Sequence, residues 1–388
     1  MSARVGVMGG GQLARMLAVA GVPMGLCLST FDPAADACAA QLVPQHRARF
    51  DDTEALRRFA AEVDVVTFDF ENVPAASAEA LAASVPVYPS PRALAVAQDR
   101  LAEKTLFGEL GIPVAGFANI DSLDGLRDAV ARLGLPCILK TRRLGYDGKG
   151  QFRLRHADDI DAAWAALGPQ VGSVGLILEA FVAFQREVSV VAVRGRDGEF
   201  RSWPLTENWH DAGILSASLA PAAVGADLAE QAVDHARRLA QSLDYVGVFA
   251  LEMFVRDGQL LANEMAPRVH NAGHWTIEGA ETSQFENHLR AVLGLPLGST
   301  RPRGYSAMLN WIGEIPDPAV ILHEPGGHWH DYGKSSRPGR KVGHATLRHD
   351  DPQALADSLL NVGAALGRPD LVRGPVARLG ASARGVPA

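Results

Sequence analysis

The sequence predicts an α/β protein built from three units: an N-terminal doubly wound parallel sheet, a small mixed α+β lid and a C-terminal unit with an antiparallel hairpin. The first observation is that short apolar strands alternate with amphipathic helices before residue 112, which is typical of a parallel sheet covered by helices. The second is a compact run of strands around a glycine-rich loop between residues 113 and 183. The third is a pair of apolar strands joined by Arg256-Asp257-Gly258, which predicts a hairpin.

Hydrophobic periodicity gives the elements of each unit. In the first, strands are predicted over 4–8, 24–29 and 63–70, and helices over 12–20 and 99–110. Gly111 and Pro113 end the second helix and mark a boundary. The later predicted elements are a helix over 123–133, strands over 137–141, 152–155 and 176–179, a helix over 158–166, strands over 187–194, 247–255 and 259–265, a helix over 283–293 and a strand over 307–312. The predicted domains are therefore 1–112, 113–183 and 184–388.

Composition excludes several classes of protein. The 388 residues carry a formal charge of −7, which removes the broad cationic field on which nucleic-acid binding depends. Cys27, Cys38 and Cys137 lie far apart without a Cys-x-x-Cys pair, so neither a disulfide framework nor a cysteine zinc site is supported. No leader pattern or long apolar span is evident. We therefore expect a cytoplasmic protein that binds neither nucleic acid nor membrane.

A first glycine motif, Gly9-x-Gly11-x-x-Ala14, follows the first strand, and Asp32 ends the next one. Glycines allow the backbone to approach an anion at a helix N-terminus, and a later acid can bind a ribose hydroxyl. Three interpretations remain open: a tight turn alone, a nucleotide site, or a site for another substrate anion. The nucleotide interpretation makes a nicotinamide-dependent oxidoreductase the main rival enzyme.

A second glycine-rich segment is more specific. An apolar strand leads to Lys140, and Gly145, Gly148 and Gly150 with Lys149 form a loop whose N–H groups can close over phosphates. The spacing is not that of a Walker loop. A simple hairpin turn is the alternative.

Two acids lie in strands otherwise suited to burial, Glu252 and Glu264, where an unpaired charge is costly. A two-residue turn would place them on opposite faces of the hairpin. A three-residue loop, with Val255 paired to Gln259, would make them diagonal neighbours on one face, where they could bind Mg²⁺ shared with nucleotide phosphates. Salt bridges to arginines are the alternative.

Polar groups follow the second acid. Arg268 and Asn271 suit anions and hydroxyls, whereas His270 and His274 lack the glutamate of a zincin helix and support zinc only weakly. Further on, a basic turn that includes Lys334 and Arg340 could hold one phosphate or could be a solvated loop.

Together these motifs resemble the ATP-grasp superfamily, and within it the family of N5-carboxyaminoimidazole ribonucleotide synthetases. The resemblance spans nearly the whole chain. Leu144 is a departure, since many relatives have glycine there. The motifs that carry the resemblance are Gly9–Leu13, Thr67–Asn72, Asp99-Arg100, Lys140, Gly145–Gln151, Glu179, Glu187, Asn208–His210, Asn263-Glu264, Ala266–Asn271 and Gly333–Gly343.

The resemblance implies an ATP-dependent carbon–nitrogen ligase of purine biosynthesis. It would carboxylate 5-aminoimidazole ribonucleotide, with bicarbonate, through carboxyphosphate. The implied ATP-binding residues are Arg100, Lys140, Gly145, Tyr146, Asp147, Gly148, Lys149, Gly150, Gln151, Glu179, Ala180, Phe181, Val182, Glu187, His210, Asn263 and Glu264. The implied substrate-binding residues are Gln12, Glu71, Tyr146, Arg268, Asn271, Lys334 and Arg340.

By the same resemblance, Lys140, Arg268, Tyr146 and Asp147 are the expected catalytic residues, and Glu252 and Glu264 would hold two Mg²⁺ ions. Relatives form homodimers, so a homodimer is expected. Another ATP-grasp ligase acting on a different amine is the closest alternative. A non-catalytic nucleotide-binding regulator would not need both acids.

Overall fold

The computed structural model describes residues 2–145 and 150–383. The N-terminal unit contains the strands β1 (Arg4–Met8), β2 (Cys27–Phe31), β3 (Gln45–His46) and β4 (Val65–Phe68), and the helices α1 (Gln12–Gly21), α2 (Thr53–Glu62), α3 (Ala75–Ala82), α4 (Pro91–Ala97) and α5 (Arg100–Glu109). The strands are parallel and lie in the order β3-β2-β1-β4. Helix α1 covers one face, and α2 and α3 cover the other. The predicted doubly wound sheet is confirmed.

The second strand lies later in the chain than the sequence pattern predicts. A strand was expected over 24–29, but Val22–Met24 form a short 3₁₀ turn and β2 begins at Cys27. Pro23 favours the start of such a turn, and Gly25 ends it with a φ of +68°. The apolar residues 22–24 therefore serve a connection rather than the sheet.

The lid is a four-stranded antiparallel sheet with helices packed against it. Its elements are β5 (Phe117–Ile120), α6 (Leu123–Leu133), β6 (Cys137–Thr141), β7 (Gln151–Leu154), α7 (Asp159–Leu167) and β8 (Leu176–Ala180). The strand order is β5-β8-β6-β7. The glycine-rich loop joins β6 to β7, which pair as a hairpin.

The third unit is built on a large antiparallel sheet. Its elements are β9 (Arg186–Arg194), β10 (Phe200–Ser202), β11 (Thr206–Asp211), β12 (Ile214–Ala220), α8 (Ala226–Ser242), β13 (Gly247–Arg256), β14 (Gln259–Ala266), α9 (Thr276–Gly279), α10 (Gln284–Leu293), β15 (Tyr305–Ile312), α11 (Ala319–Leu322), β16 (Gly327–Asp331), β17 (Lys341–His349), α12 (Pro352–Ala365) and α13 (Pro369–Ala383). The order is β14-β13-β9-β11-β12-β15-β17-β16, with β10 beside β9. Among the helices described, none is long and apolar enough to cross a bilayer.

Buried contacts on both faces join the N-terminal unit to this sheet. Phe107 of α5 packs in the core formed by α8 and the strands β9, β13 and β14. On the other face, His288 of α10 bonds Thr67 of β4 through Nε2 at 2.7 Å and accepts the Val248 N–H on Nδ1 at 3.0 Å. Burial lowers the pKa of His288 to about 4, so the ring is neutral and its proton lies on Nε2.

We expect Phe107→Ala to destabilise the protein strongly, because Phe107 is fully buried where α5 docks on the large sheet. Loss of such a side chain costs about 3–5 kcal/mol. The midpoint of urea unfolding measures the effect. Leu360→Ala is the control, since Leu360 is 52% exposed. Equal midpoints for the two variants would contradict the assigned docking contact.

Candidate active site

The hairpin that carries the two acids has a two-residue turn. Asp257 and Gly258 both have positive φ, 52° and 74°, and Arg256 pairs with Gln259. The three-residue loop considered above, with Val255 paired to Gln259, is therefore wrong. A regular hairpin with this turn would separate the two acids onto opposite faces.

A β-bulge brings the acids back to one face. The pairing shifts between Glu252 and Met253: Met253 pairs with Ala262, whereas Glu252 pairs with Glu264. Asn263 is the extra residue, and the shift by one position turns Glu264 to the side of Glu252. The two carboxylates are thus directly opposite each other, which is closer than the diagonal arrangement that the sequence suggested.

Three side chains of α5 hold the bulged segment. Arg100 donates to Glu264 Oε2 at 2.9 Å, Glu103 Oε1 accepts the Met265 N–H at 2.6 Å, and Lys104 donates to the Asn263 carbonyl at 3.2 Å. These α5 residues are spaced i, i+3 and i+4 and so share one helix face. Each binds one of three consecutive residues of β14, which fixes the bulge.

The charges around the acids set their protonation. Burial, with the carboxylates of Glu264 and Glu187, raises the pKa of Glu252 well above its ordinary value. Burial would also raise the pKa of Glu264, but the cation of Arg100 outweighs it and lowers that pKa. Burial and the Glu264 carboxylate raise the pKa of Glu103 to about 8. Of the three acids, Glu264 therefore ionises most readily, whereas burial disfavours the charged forms of Glu252 and Glu103.

A second charge cluster joins α5 to the lid. Glu179 of β8 accepts from Lys140 of β6 at 2.9 Å and lies 3.5 Å from Lys104. Burial opposes ionisation of Glu179, but the two ammonium groups hold its pKa at about 2. Its buried Oε1 has no hydrogen-bond partner among the described residues. This cluster therefore presents one free acceptor oxygen beside a lysine.

The connection between lid and large sheet runs through Ala180, Phe181 and Val182, which follow Glu179 directly. Beyond it, Glu187 of β9 lies 3.2 Å from His210 of β11. The structure thus brings the predicted nucleotide residues Glu187 and His210 together on the first strands that follow this connection.

An aromatic pair lies beside Glu187 in the sheet. Phe184 stacks on Phe254 with ring centroids 4.5 Å apart and an interplanar angle of 10°, and Phe184 is exposed. Phe254 pairs in the sheet with Glu187 and, two residues after Glu252, points to the same face as the acids.

The root of the glycine-rich loop is tied to α5. Asp99, which caps α5, accepts from Arg142 at 2.6 and 2.9 Å and from Arg143 at 3.1 Å. Leu144 has a φ of 61°, a left-handed conformation that favours glycine. Gly145, Gly150 and Gln151 lie at the two ends of this loop, whereas Tyr146, Asp147, Gly148 and Lys149 lie outside the described residues.

Several predicted substrate residues lie where the N-terminal unit meets the segment after β14 and the loop after β16. Arg268 forms an ion pair with Glu71 at 2.9 Å, and this partner raises the guanidinium pKa against the opposing effect of burial. Lys334 donates to Gln12. The side chain of Asn271 is 9% exposed, and neither polar atom of its amide has a hydrogen-bond partner in the part of the chain described.

Arg340 lies on the loop that carries Lys334. It bonds Ser335 Oγ at 2.7 Å and lies 3.6 Å from Asp36, which belongs to the loop after β2. The loop between β16 and β17 thus closes over the N-terminal sheet.

The first glycine motif has its own acceptors. Asp32 accepts the Gly10 N–H at 2.7 Å, and Asp69 accepts those of Gly11 and Ala14 at 2.9 Å. The N–H groups that a dinucleotide would need are thus bound to the protein's own carboxylates, and Asp32 is turned to the backbone instead of to a ribose. This arrangement favours the tight-turn interpretation over an oxidoreductase.

Several residues in or beside the site had no role predicted from the sequence: Glu103, Lys104, Asp69, Asp99, Phe184 and Phe254. The signal for Glu103 and Lys104 was present, because charges spaced at i, i+3 and i+4 in α5 share a face with the apolar Phe107. Such a stripe is usually solvated, and only the docking of α5 on β14 shows that it is buried.

Family profiles match three segments of the chain: a ribonucleotide synthetase preATP-grasp domain over residues 1–98, an ATP-grasp domain over 105–285 and a phosphoribosylaminoimidazole carboxylase C-terminal domain over 306–358. The chain is 55% identical to N5-carboxyaminoimidazole ribonucleotide synthase of Pseudomonas aeruginosa over 359 residues, 92% of this chain and 98% of that protein.

Solved structures of enzymes with this name are also similar to the chain. The crystal structure of N5-carboxyaminoimidazole ribonucleotide synthetase from Thermus thermophilus has a TM-score of 0.89 at 53% identity, covering 93% of this chain and 98% of that one. The enzyme from Aspergillus clavatus in complex with ADP and 5-aminoimidazole ribonucleotide has a TM-score of 0.85 at 32% identity, covering 96% and 98%.

We expect the substitution Glu103→Gln to change how stability depends on pH. The pKa of Glu103 is about 8 in the folded protein against an ordinary value of 4.5, so between these values the native state binds more protons and stability falls as pH rises. Glutamine keeps an oxygen for the Met265 N–H but does not titrate. The melting temperature of the variant, measured without metal or nucleotide, should therefore rise relative to that of the wild type as the pH increases from about 5 to about 8.

Glu54→Gln is the control for this measurement, since Glu54 is an exposed helix residue paired with Arg58. It should keep the wild-type slope of melting temperature against pH. The same slope for Glu103→Gln would contradict the buried, protonated state assigned to Glu103.

Proposed function

The chain belongs to the family of N5-carboxyaminoimidazole ribonucleotide synthases, and on that premise we propose that it is a ligase that carboxylates 5-aminoimidazole ribonucleotide with ATP and bicarbonate. The observation that carries the proposal is the pair formed by Glu252 and Glu264. The pair lies between the ammonium groups of Lys104 and Lys140 and the guanidinium of Arg268. A nucleotide phosphate and a second substrate can meet at such a point.

The nucleotide is proposed to bind between lid and large sheet. Lys140 and Arg100 would contact the phosphates, together with Gly145, Gly150 and Gln151. The same contact is proposed for Tyr146, Asp147, Gly148 and Lys149, which lie outside the described residues. The adenine would lie against Ala180, Phe181 and Val182, with Glu187, His210 and Asn263 completing the site. The free Oε1 of Glu179 supports this proposal, because a buried acceptor beside the hinge suits the adenine amino group. The Phe184–Phe254 stack offers an apolar surface beside it.

Magnesium fits the two acids, and we propose that Glu252 and Glu264 hold two Mg²⁺ ions. Burial and the nearby carboxylates of Glu264 and Glu187 raise the pKa of Glu252, so a cation bound between the acids would stabilise its ionised form. In the described residues, no group of three or more His, Cys, Asp and Glu side chains is arranged as a metal site. Few protein ligands are typical of Mg²⁺, which shares its coordination with phosphates. When bound, the metal would supply charge neutralisation on the phosphates.

The ribonucleotide and bicarbonate are proposed to bind on the other side of the acids, against Gln12, Glu71, Arg268, Asn271, Lys334 and Arg340. The ion pair with Glu71 orients the guanidinium of Arg268, which would bind an anionic substrate. The unpartnered amide of Asn271 supports a polar ligand here, since buried polar groups are rarely left unpaired. Lys334 and Arg340 suit a single phosphate.

The proposed reaction has two steps. A bicarbonate oxygen attacks the γ-phosphorus of ATP, which gives carboxyphosphate and ADP. The carboxyl group then passes to the exocyclic amine of the imidazole, inorganic phosphate leaves, and the amine loses a proton. Lys140 and Arg268 would stabilise the transferring groups electrostatically, with Tyr146 and Asp147 as further proposed catalytic residues. A closed lid would exclude water from carboxyphosphate.

We also propose a cytoplasmic homodimer. The three cysteines are free thiols, which suits a reducing compartment. Light scattering during size-exclusion chromatography would give the mass; a monomer at micromolar concentration would contradict the dimer.

The experiment that tests the function is phosphate release from ATP with bicarbonate and 5-aminoimidazole ribonucleotide, each omitted in turn. Full release should require all three compounds, and N5-carboxyaminoimidazole ribonucleotide should form in step with it. Release that needs a different amine would identify another ligase of the superfamily.

We expect Glu264→Gln to reduce turnover by a factor of about 10² or more, because the variant loses a metal charge but keeps the shape of the side chain. Glu281→Gln is the control, an acid paired with the exposed Arg301. Phosphate release and melting temperature should be measured together. Wild-type turnover in Glu264→Gln would show that this carboxylate is not part of the proposed metal site.

Arg340→Ala should raise the KM for 5-aminoimidazole ribonucleotide by about tenfold with a smaller change in the KM for ATP, since one phosphate ligand is lost. Arg373→Ala, an exposed arginine of α13, should change neither constant. An effect confined to the KM for ATP would show that Arg340 acts on the nucleotide and not on the ribonucleotide.

A further inference from the structure

The segment between β14 and α9 carries Arg268, His270 and Asn271 without the support of a sheet. Its only regular feature is the short 3₁₀ turn Asn271–Gly273. Arg268 contacts Glu71, and His270 lies 3.2 Å from Glu252. Something must therefore fix the backbone of this segment if these side chains are to hold their directions.

The side chain of Gln284, the first residue of α10, makes that contact. Its Oε1 accepts the His270 N–H at 2.8 Å, and its Nε2 donates to the His270 carbonyl at 2.7 Å. Nε2 also lies 3.1 Å from His274 Nδ1. The side chain is fully buried. Two bonds to one residue fix both its position and its orientation.

The surrounding packing leaves the amide little freedom. A Cβ placed on Gly273 would lie 2.6 Å from Gln284 Oε1, so only glycine allows this approach. Thr276 adds a second brace, because its hydroxyl donates to the Gly273 carbonyl at 2.6 Å and accepts the Gln284 N–H at 2.9 Å.

We infer that Gln284 is a positioning residue for the carboxylation site: its amide, bonded to both backbone groups of His270, holds Arg268, His270 and Asn271 against the acids and the second substrate. The inference rests on the proposed function for its substrate. It concerns the ribonucleotide and bicarbonate side of the site, and not the nucleotide side, because the side-chain amide of Gln284 forms its hydrogen bonds with His270 and His274 in the segment that follows β14.

The same helix provides a matched control. Asn287 is also fully buried and also bonds both backbone groups of one residue, donating to the Gly298 carbonyl at 3.1 Å and accepting the Gly298 N–H at 2.7 Å. Gly298 lies in the loop between α10 and β15, away from the acids. Asn287→Asp and Gln284→Glu therefore make the same chemical change, replacing an amide donor by a carboxylate oxygen.

The first measurement is amide hydrogen exchange without substrates, which does not depend on the proposed function. Gln284→Glu should accelerate exchange in residues 268–274 by about tenfold or more, and Asn287→Asp should do so only around Gly298. If Gln284→Glu does not fold, Gly273→Ala is used in its place, because the added methyl group displaces the same amide from the opposite side. Unchanged exchange in residues 268–274 would overturn the inference.

The second measurement is steady-state kinetics. Gln284→Glu should raise the KM for 5-aminoimidazole ribonucleotide by about tenfold and release phosphate in excess of product, with the KM for ATP unchanged. Asn287→Asp should keep wild-type constants. Equal losses of kcat in both variants would mean a purely structural role and overturn the inference. A wild type inactive with this ribonucleotide would count against the proposed function, while the exchange result still decides the role of Gln284.

Discussion

The register of one hairpin determines what the site can do. Asn263 is an extra residue in β14, and its insertion turns Glu264 to the face of Glu252. A bulge disrupts the ladder locally, so it needs support from outside the hairpin. Arg100, Glu103 and Lys104 of α5 supply that support by binding the three residues of the bulged segment. The acid pair therefore depends on a helix from a different part of the chain.

The same helix also links the acid pair to the lid. Lys104 lies between the Asn263 carbonyl and Glu179, and Glu179 binds Lys140 at the strand before the glycine-rich loop. Buried charges are costly unless they are paired, and here Glu179 is shared between Lys104 and Lys140, while Arg100 pairs with Glu264. Removal of one member would leave the others unpaired, so the lid root, α5 and the bulge form one electrostatic unit.

The N-terminal sheet contributes to the site through residues at its edge and not through its glycine loop. Its strand order reverses beside β1, the place where open α/β sheets ordinarily bind ligands. Asp32 and Asp69 already occupy the N–H groups of the loop there. This edge instead supplies Glu71, bonded to Arg268, and Gln12, bonded to Lys334. The fold thus uses this edge to orient cations of the large sheet and the loop after β16.

Local patterns in the sequence determined the three units, most strand and helix positions, and the residues of the acid pair, because hydrophobic periodicity and turn residues act over a few positions. They also singled out Lys140 and Arg268. Tertiary structure alone decided that Glu252 and Glu264 share a face, since the turn by itself predicts the opposite and a bulge is stabilised by contacts distant in sequence. It alone decided that Glu103 and Lys104 are buried, because a charged helix stripe looks the same whether water or another strand covers it.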